Sequence, residues 1–114
     1  MDCLLCKIIA GDIPSKKVYE DEAVYAFHDI NPQSPVHVLI IPKLHLSSAD
    51  EVTTGETADA VDAVFCAIPK IAAQLGLTQG YRVITNVGEH GCQSVKHLHF
   101  HLLGGAQLPD SMGI

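Results

Sequence analysis

The chain has 114 residues, 47% of them hydrophobic, which suits a single packed core better than a disordered chain. Seven basic against 13 acidic side chains leave a net charge of −6, which argues against a broad basic face for nucleic acid or an anionic membrane. A single phosphate held by backbone amides stays open, while apolar runs such as Val38-Leu39-Ile40-Ile41 fall far short of the ~20 residues that span a bilayer. In chain order, Cys3 to Ala10 is predicted as a short helix ended by Gly11 and the Ile13-Pro14 step. Val18 to Glu20 and Ala23 to His28 are predicted as strands about a tight turn at Asp21-Glu22, and Asn31 to Pro35 as a loop. His37 to Ile41 is a β-branched central strand closed by Pro42. Val61, Val64, Phe65, Ile68, Ile71, Ala72 and Leu75 recur at helical steps, giving an amphipathic helix from near Thr57 to a Gly76 stop. Pro69 is expected to kink it, and Cys66 is expected on its core side. Tyr81 to Thr85 is a strand, Asn86 to Gln93 a glycine-bearing loop, and Val95 to Leu103 the last strand before Gly104-Gly105. The order predicts an α+β fold, a mostly antiparallel sheet with the helices on one side.

Seven histidines are the compositional oddity, and three of them stand in His97-Leu98-His99-Phe100-His101-Leu102-Leu103. On a strand, alternation puts the imidazoles on one face and Leu98, Phe100 and Leu102 in the core. A solvated polar face explains one histidine better than three. Two chemistries compete for the three. As metal ligands, neighbours are roughly 6.6 Å apart and the outer pair roughly 13 Å, so two could lean together but all three could not converge at the about 2.0–2.1 Å that zinc requires without a sharp bend. As a nucleophilic centre, the middle imidazole attacks phosphorus if a hydrogen bond on Nδ1–H leaves Nε2 free. Strand geometry favours the nucleophile.

At these residues the chain resembles the histidine triad (HIT) family, whose signature is His-φ-His-φ-His-φ-φ with φ apolar. Gln93-Ser94-Val95, Cys3 to Gly11, Ile13-Pro14, Phe27-His28-Asp29-Ile30, Pro35-Val36-His37 and Ile41 to His45 also match it. The Gly104-Gly105 ending is similar to the Hint branch of nucleoside phosphoramidases; the branch that cleaves dinucleoside polyphosphates typically has Pro-Arg there. The resemblance implies one HIT domain over residues 1–114, with a five-stranded sheet and two helices joined into a larger sheet in a homodimer.

It also implies roles. His99 would attack the α-phosphorus of a purine nucleoside 5′-phosphoramidate or acyl-nucleotide, and water would hydrolyse the nucleotidyl-histidine to the mononucleotide. His101 would contact that phosphate, and Cys92, Gln93 and Ser94 would line its pocket, Ser94 also assisting proton transfer. Asp29 and Ile30 would hold ribose and base, Asn86 and Phe100 would join the nucleotide contacts, and His37 would stand behind the triad. Ile30 reads equally as core, Asn86 as a left-handed turn residue, and Asp29 as a turn cap.

Cys3-x-x-Cys6 alone is a weak metal signal. With His45 and His97 it makes a Cys₂His₂ set, the make-up of many closed zinc sites, and many bacterial family members look this way. The resemblance therefore implies a structural zinc, with no metal required for catalysis. The N-terminal residues carry no secretory signature, so Cys3, Cys6, Cys66 and Cys92 are read as reduced thiols or ligands in a cytoplasmic protein. Cys92 stands where the family often has glycine, and the tail after Gly105 lacks the aromatic residue that Hint relatives often carry. Its apolar candidates are Leu108, Met112 and Ile114. Three further readings stay in play: a nucleotide-binding regulatory module with little catalysis, a dinucleoside polyphosphate hydrolase, and a zinc-hydroxide hydrolase.

Overall fold

The computed structural model describes residues 3–111. Helix α1 spans Leu4–Ala10, strands β1 Lys17–Glu20, β2 Val24–His28 and β3 Val36–Pro42, helix α2 Glu56–Gln74, and strands β4 Arg82–Ile84 and β5 Phe100–Gly104; a 3₁₀ turn, Ala49–Glu51, precedes α2. The strands form one antiparallel sheet in the order β1-β2-β3-β5-β4. Asp21 closes the β1–β2 turn by accepting the N–H groups of Ala23 and Val24, both at 2.8 Å.

Alternation divides the sheet into two faces. Val24, Ala26, Val38, Ile40, Phe100 and Leu102 pack under α2 with Val64, Ala67, Ile68 and Ile71. Tyr25, Phe27 and Ile41 point the other way and meet Leu5 and Ile8 of α1. The helices therefore cover opposite faces, and the expectation of helices on one side is corrected. Because α1 has only 7 residues, it covers one part of its face and leaves His37 and His101 outside its cluster.

Helix α2 runs on through Pro69 and ends in a Schellman closure: Gly76 takes φ +70°, its N–H reaches Ala73, and the Leu77 N–H reaches Ala72. Cys66 is exposed rather than core, because the buried stripe runs through Ala60, Val64, Ala67, Ile68 and Ile71. The last strand is also shorter than expected. Its ladder with β3 stops at Ile40↔Phe100, so Val95 to His99 lie outside the sheet. Beyond that point Pro42 has no N–H to offer, its carbonyl faces the His97 ring, and Leu98 N–H turns to the Leu46 carbonyl at 2.6 Å.

No helix among the described residues is long and apolar enough to cross a membrane. The tail lies beside the start of β4, where Arg82 Nη2 donates to the Pro109 carbonyl at 2.8 Å. A cavity of about 640 Å³ lies between residues 76–82 and 104–108, away from the triad, and includes Leu108 in its wall. Met112 and Ile114 fall outside the described residues.

Candidate functional site

Although His97 and His99 precede the strand, the three rings lie on the side of the chain away from Leu98, Phe100 and Leu102, which pack under α2. His97 turns to the N-terminal helix, while His99 and His101 stay together, ring centroids 5.2 Å apart and nearly perpendicular. Leu98, Phe100 and Leu102 are core, as alternation requires.

Carbonyl oxygens can only accept, so each carbonyl that meets a ring nitrogen tells which tautomer is present. His99 Nδ1 lies 2.7 Å from the His97 carbonyl and must donate to it. A neutral His99 therefore has its lone pair on Nε2. His97 Nε2 lies 2.9 Å from the Pro42 carbonyl and donates, which leaves the His97 Nδ1 lone pair for a ligand. That Nδ1 is 3.4 Å from Cys3 Sγ, 3.5 Å from Cys6 Sγ and 3.0 Å from His45 Nδ1; Cys6 Sγ is 3.3 Å from His45 Nδ1. A tetrahedral zinc with N and S ligands requires N···N and N···S edges of about 3.4 and 3.5 Å, so these donors fit one ion. The fit extends to the surroundings. The His97 N–H held by Pro42 is the outer contact metal-bound histidines use, and burial foremost keeps its imidazole below the ordinary 6.5, hence neutral. Burial, then the hydrogen bond and charge of Cys3, push the Cys6 thiol up to about 11, so a cation is what brings it to thiolate near neutrality. Cys3 also caps α1, its sulfur accepting the Cys6 N–H at 3.2 Å, which is how a Cys-x-x-Cys turn presents both sulfurs together.

A second group, Asp29, His37 and His101, is equally close-set. Its tautomers differ. The Gln33 N–H donates to His37 Nδ1 at 3.0 Å, which puts the proton of neutral His37 on Nε2, the atom facing His101 Nδ1 at 2.9 Å and Asp29 Oδ2 at 3.4 Å. A metal there needs that nitrogen bare, so the group reads as a hydrogen-bonded histidine pair with the Asp29 carboxylate beside it.

The loop before the triad is built to hold shape. Gln93 spends its side chain inside the protein: Oε1 accepts the Gly88 N–H, and Nε2 donates to the Ser47 and Val95 carbonyls at 2.6 and 2.9 Å. Asn86 Nδ2 donates to the Gly91 carbonyl at 2.7 Å. Asn86 is not left-handed; Cys92 is the one described non-glycine residue with positive φ, +58°. That conformation is one glycine adopts more readily than any other residue. Cys92 and Ser94 are exposed on the loop. Ile30 is 97% exposed, which corrects the core reading and leaves an apolar lip beside Asp29. Asp29 does cap its turn, Oδ1 accepting the Asn31 N–H at 2.8 Å, and in addition reaches His37. Phe100, expected among the nucleotide contacts, buries its ring on the α2 side against Phe65, centroids 5.6 Å apart. Only its backbone faces the His101 side.

Sequence reasoning missed Gln33, Pro42, Ser47 and Gly91. The first three act through backbone groups, which side-chain identity does not announce. Gly91 left one signal, the Gly-x-x-Gly spacing of residues 88–91. A Cβ there would lie 2.4 Å from the Val87 carbonyl oxygen and 2.9 Å from its nitrogen, both backbone. Gly91→Ala is therefore expected to shift the loop and cost about 1–3 kcal/mol, read as a lower Tm together with a fall of tenfold or more in kcat/KM.

The HIT domain profile matches residues 10–108. The chain belongs to the HIT family. Among HIT relatives, a 14 kDa zinc-binding protein of Zea mays is 50% identical over 103 residues, 90% of this chain and 80% of that protein. The structure of a HIT family hydrolase from Clostridium thermocellum superposes with a TM-score of 0.93 at 46% identity, covering 97% of this chain and 96% of that one. A histidine triad nucleotide-binding protein from Candida albicans gives 0.81 at 33% identity, covering 98% and 87%. The α+β fold with a five-stranded antiparallel sheet is thus the HIT fold.

Within this HIT site, burial, then the charges of His99 and His37, push His101 down to about 4, with Asp29 opposing. The unfolded chain, with an ordinary pKa near 6.5, binds the proton more readily, so folding loses stability as pH falls from about 7 to about 4. The side chain is partly open, so about 1–2 kcal/mol is expected after screening. Urea midpoints measured across that window check this: His101→Gln should flatten the acid slope.

Proposed function

We propose that this HIT protein hydrolyses purine nucleoside 5′-phosphoramidates or acyl-nucleotides at the α-phosphorus through a covalent nucleotidyl-histidine on His99. The observation that carries the reading is the 2.7 Å contact from His99 Nδ1 to the His97 carbonyl, which leaves Nε2 as the free nucleophilic atom. In the first step the Nε2 lone pair forms a P–N bond to phosphorus as the bond to the leaving amine or acid breaks. Ser94, exposed on the loop, relays a proton from solvent water to the departing group, taking one up as it gives one away. His101, neutral at pH 7, donates from Nε2 to the phosphate. In the second step water attacks the nucleotidyl-imidazole, releases the mononucleotide and regenerates His99. The loop at Cys92, Gln93 and Ser94 cradles the phosphate, with Gln93 acting as its internal brace, and Asn86 holds that loop. Asp29 takes the ribose hydroxyls, and the exposed Ile30 packs on the base.

A structural zinc on Cys3, Cys6, His45 and His97 ties α1 to the segment that carries His99. When bound it supplies a fixed cross-link and neutralises two thiolates, while His99 Nε2 does the chemistry. The name of the maize relative and the donor spacing support it. The residues act as one HIT domain over 1–114, in the cytoplasm, where four free cysteines stay reduced. A homodimer is supported by β4 standing at the sheet edge, by exposed Phe65 and Tyr81, and by the buried Arg82 Nη1 that lacks a hydrogen-bond partner.

Turnover of an adenosine 5′-phosphoramidate tests the reading. Release of AMP that survives chelation supports His99 chemistry. Binding of AMP without turnover supports a regulatory module, and loss of turnover on metal removal from folded protein supports a zinc-hydroxide hydrolase. Faster cleavage of a dinucleoside polyphosphate would move the substrate class.

A further inference from the structure

The loop before the triad is closed on itself: Gln93 N–H reaches the Gly88 carbonyl, Cys92 N–H reaches that of Glu89, and Asn86 holds the carbonyl of Gly91. Of the hydrogen bonds made by residues 86–95 among the described residues, one leaves that stretch, from Gln93 Nε2 to the Ser47 carbonyl at 2.6 Å. Where the loop sits therefore depends on where that carbonyl points. The peptide group just before it, Leu46 C=O with Ser47 N–H, is planar and is gripped at both ends. Leu98, between His97 and His99, donates its N–H to the Leu46 carbonyl at 2.6 Å. Ser47 N–H donates to Glu51 Oε1. The 3₁₀ turn Ala49–Glu51 brings that carboxylate back over Ser47, with Glu51 N–H on the Ser48 carbonyl at 3.1 Å. The Ser47 hydroxyl, and then its N–H, hold the Glu51 carboxylate below the ordinary range, so it is ionised at pH 7.

We propose that Glu51 is a positioning residue for phosphate recognition: by fixing the 46–47 peptide against Leu98 it aims the Ser47 carbonyl at Gln93, and so sets the loop at Cys92, Gln93 and Ser94 relative to His99. This rests on the nucleotide reading of that loop. Glu51 is exposed, and its hydrogen bonds go to Ser47 and Ser48, none to the loop or the triad. It acts through one peptide plane, and that plane anchors both. The triad segment hangs on its carbonyl, and the loop hangs on the carbonyl that follows. A ligand without a phosphate does not use the loop, so the effect belongs to the phosphate and leaves the nucleoside alone. The chemistry at His99 depends on the His97 carbonyl, which Glu51 does not contact, so the effect falls on KM before kcat. A carboxylate that merely closed its own turn, in the manner of a capping box, has a different signature: stability changes and phosphate affinity does not.

Calorimetric titration of the full chain with AMP and with adenosine tests this. Glu51→Ala is expected to weaken AMP about fivefold, the worth of one hydrogen bond, and adenosine less than about twofold. Glu51→Gln keeps an acceptor oxygen for the Ser47 N–H and is expected to restore AMP affinity to within about twofold. The Gln93 side-chain amide gives a spectroscopic reading. Its ¹H–¹⁵N signal, identified by its loss in Gln93→Met, should move in Glu51→Ala and return in Glu51→Gln. In a Gln93→Met background the link is already cut, so Glu51→Ala should cost no further AMP affinity. Unchanged AMP affinity in Glu51→Ala, an equal loss with adenosine, or fully additive losses in the double variant would overturn the proposal and leave the hydrolase reading intact. Should Glu51→Ala weaken AMP as expected while no phosphoramidate is cleaved by the unaltered protein, the hydrolase reading fails and the positioning role stands. Failure of the unaltered protein to bind AMP sinks both.

Discussion

His99→Ala and His99→Asn are expected to lose phosphoramidate turnover by about 10⁴-fold or more, while the fold and AMP binding persist. Removing a nucleophile abolishes the covalent route and leaves only what positioning contributes. His99 lies at the centre of the constellation, its Nδ1–H committed to the His97 carbonyl and its neighbour His101 held neutral by burial. No other nucleophile stands in for it: Ser94 is exposed on the loop, and Cys92 has no histidine contact among the described hydrogen bonds. Asparagine keeps the Nδ-side donor to His97 without a nucleophilic atom, so it separates chemistry from ring packing better than alanine. Intact-protein mass spectrometry after rapid quench should find one nucleotidyl group on the unaltered chain and none on either variant. Turnover by His99→Ala near the unaltered rate would refute the mechanism.

Loss of one zinc ligand should have the opposite signature, a large fall in stability with a smaller change in chemistry. Metal binding by donors that the unfolded chain leaves scattered is coupled to folding, and Cys3 and His97 are separated by 94 positions in the chain. Removing Cys3 also removes the cap on the Cys6 N–H. Cys3→Ser and His45→Ala are expected to lose the metal and about 3–5 kcal/mol, seen as a Tm lower by about 10 °C or more. The effect on kcat is expected to stay within about tenfold, since His99 is not a member of the donor set. Metal analysis of protein purified without chelator should give one zinc per chain, not two. The Gln33 N–H on His37 Nδ1 is the reason no second ion is expected at the Asp29 group. Zinc-free protein with freely alkylated Cys3 and Cys6 would overturn the site.

Much of this protein was readable from local pattern. The alternation in His97 to Leu103 marked which residues are core and which carry chemistry, because side-chain direction on an extended chain depends only on neighbours. Gly11 and Gly76 marked helix ends for the same reason: their positive φ is a local property. Cys3 and Cys6, one helical turn apart, likewise belong to local geometry. What local pattern could not decide is where a strand stops and which way a ring turns. The triad looked like one continuous strand, yet His97 leaves it because Pro42, 55 positions away in the chain, supplies a carbonyl where a ladder partner was due. Cys66 had helical periodicity on its side and still faces solvent, since the width of the buried stripe depends on what the sheet presents beneath it. No local signal tells which sheet face each helix covers, and the two helices take opposite faces. Above all, the tautomers of His37, His97 and His99 are determined by main-chain groups of Gln33, Pro42 and His97. Every residue except proline has the same backbone donor and acceptor, so only the tertiary arrangement determines which of them meets a given imidazole.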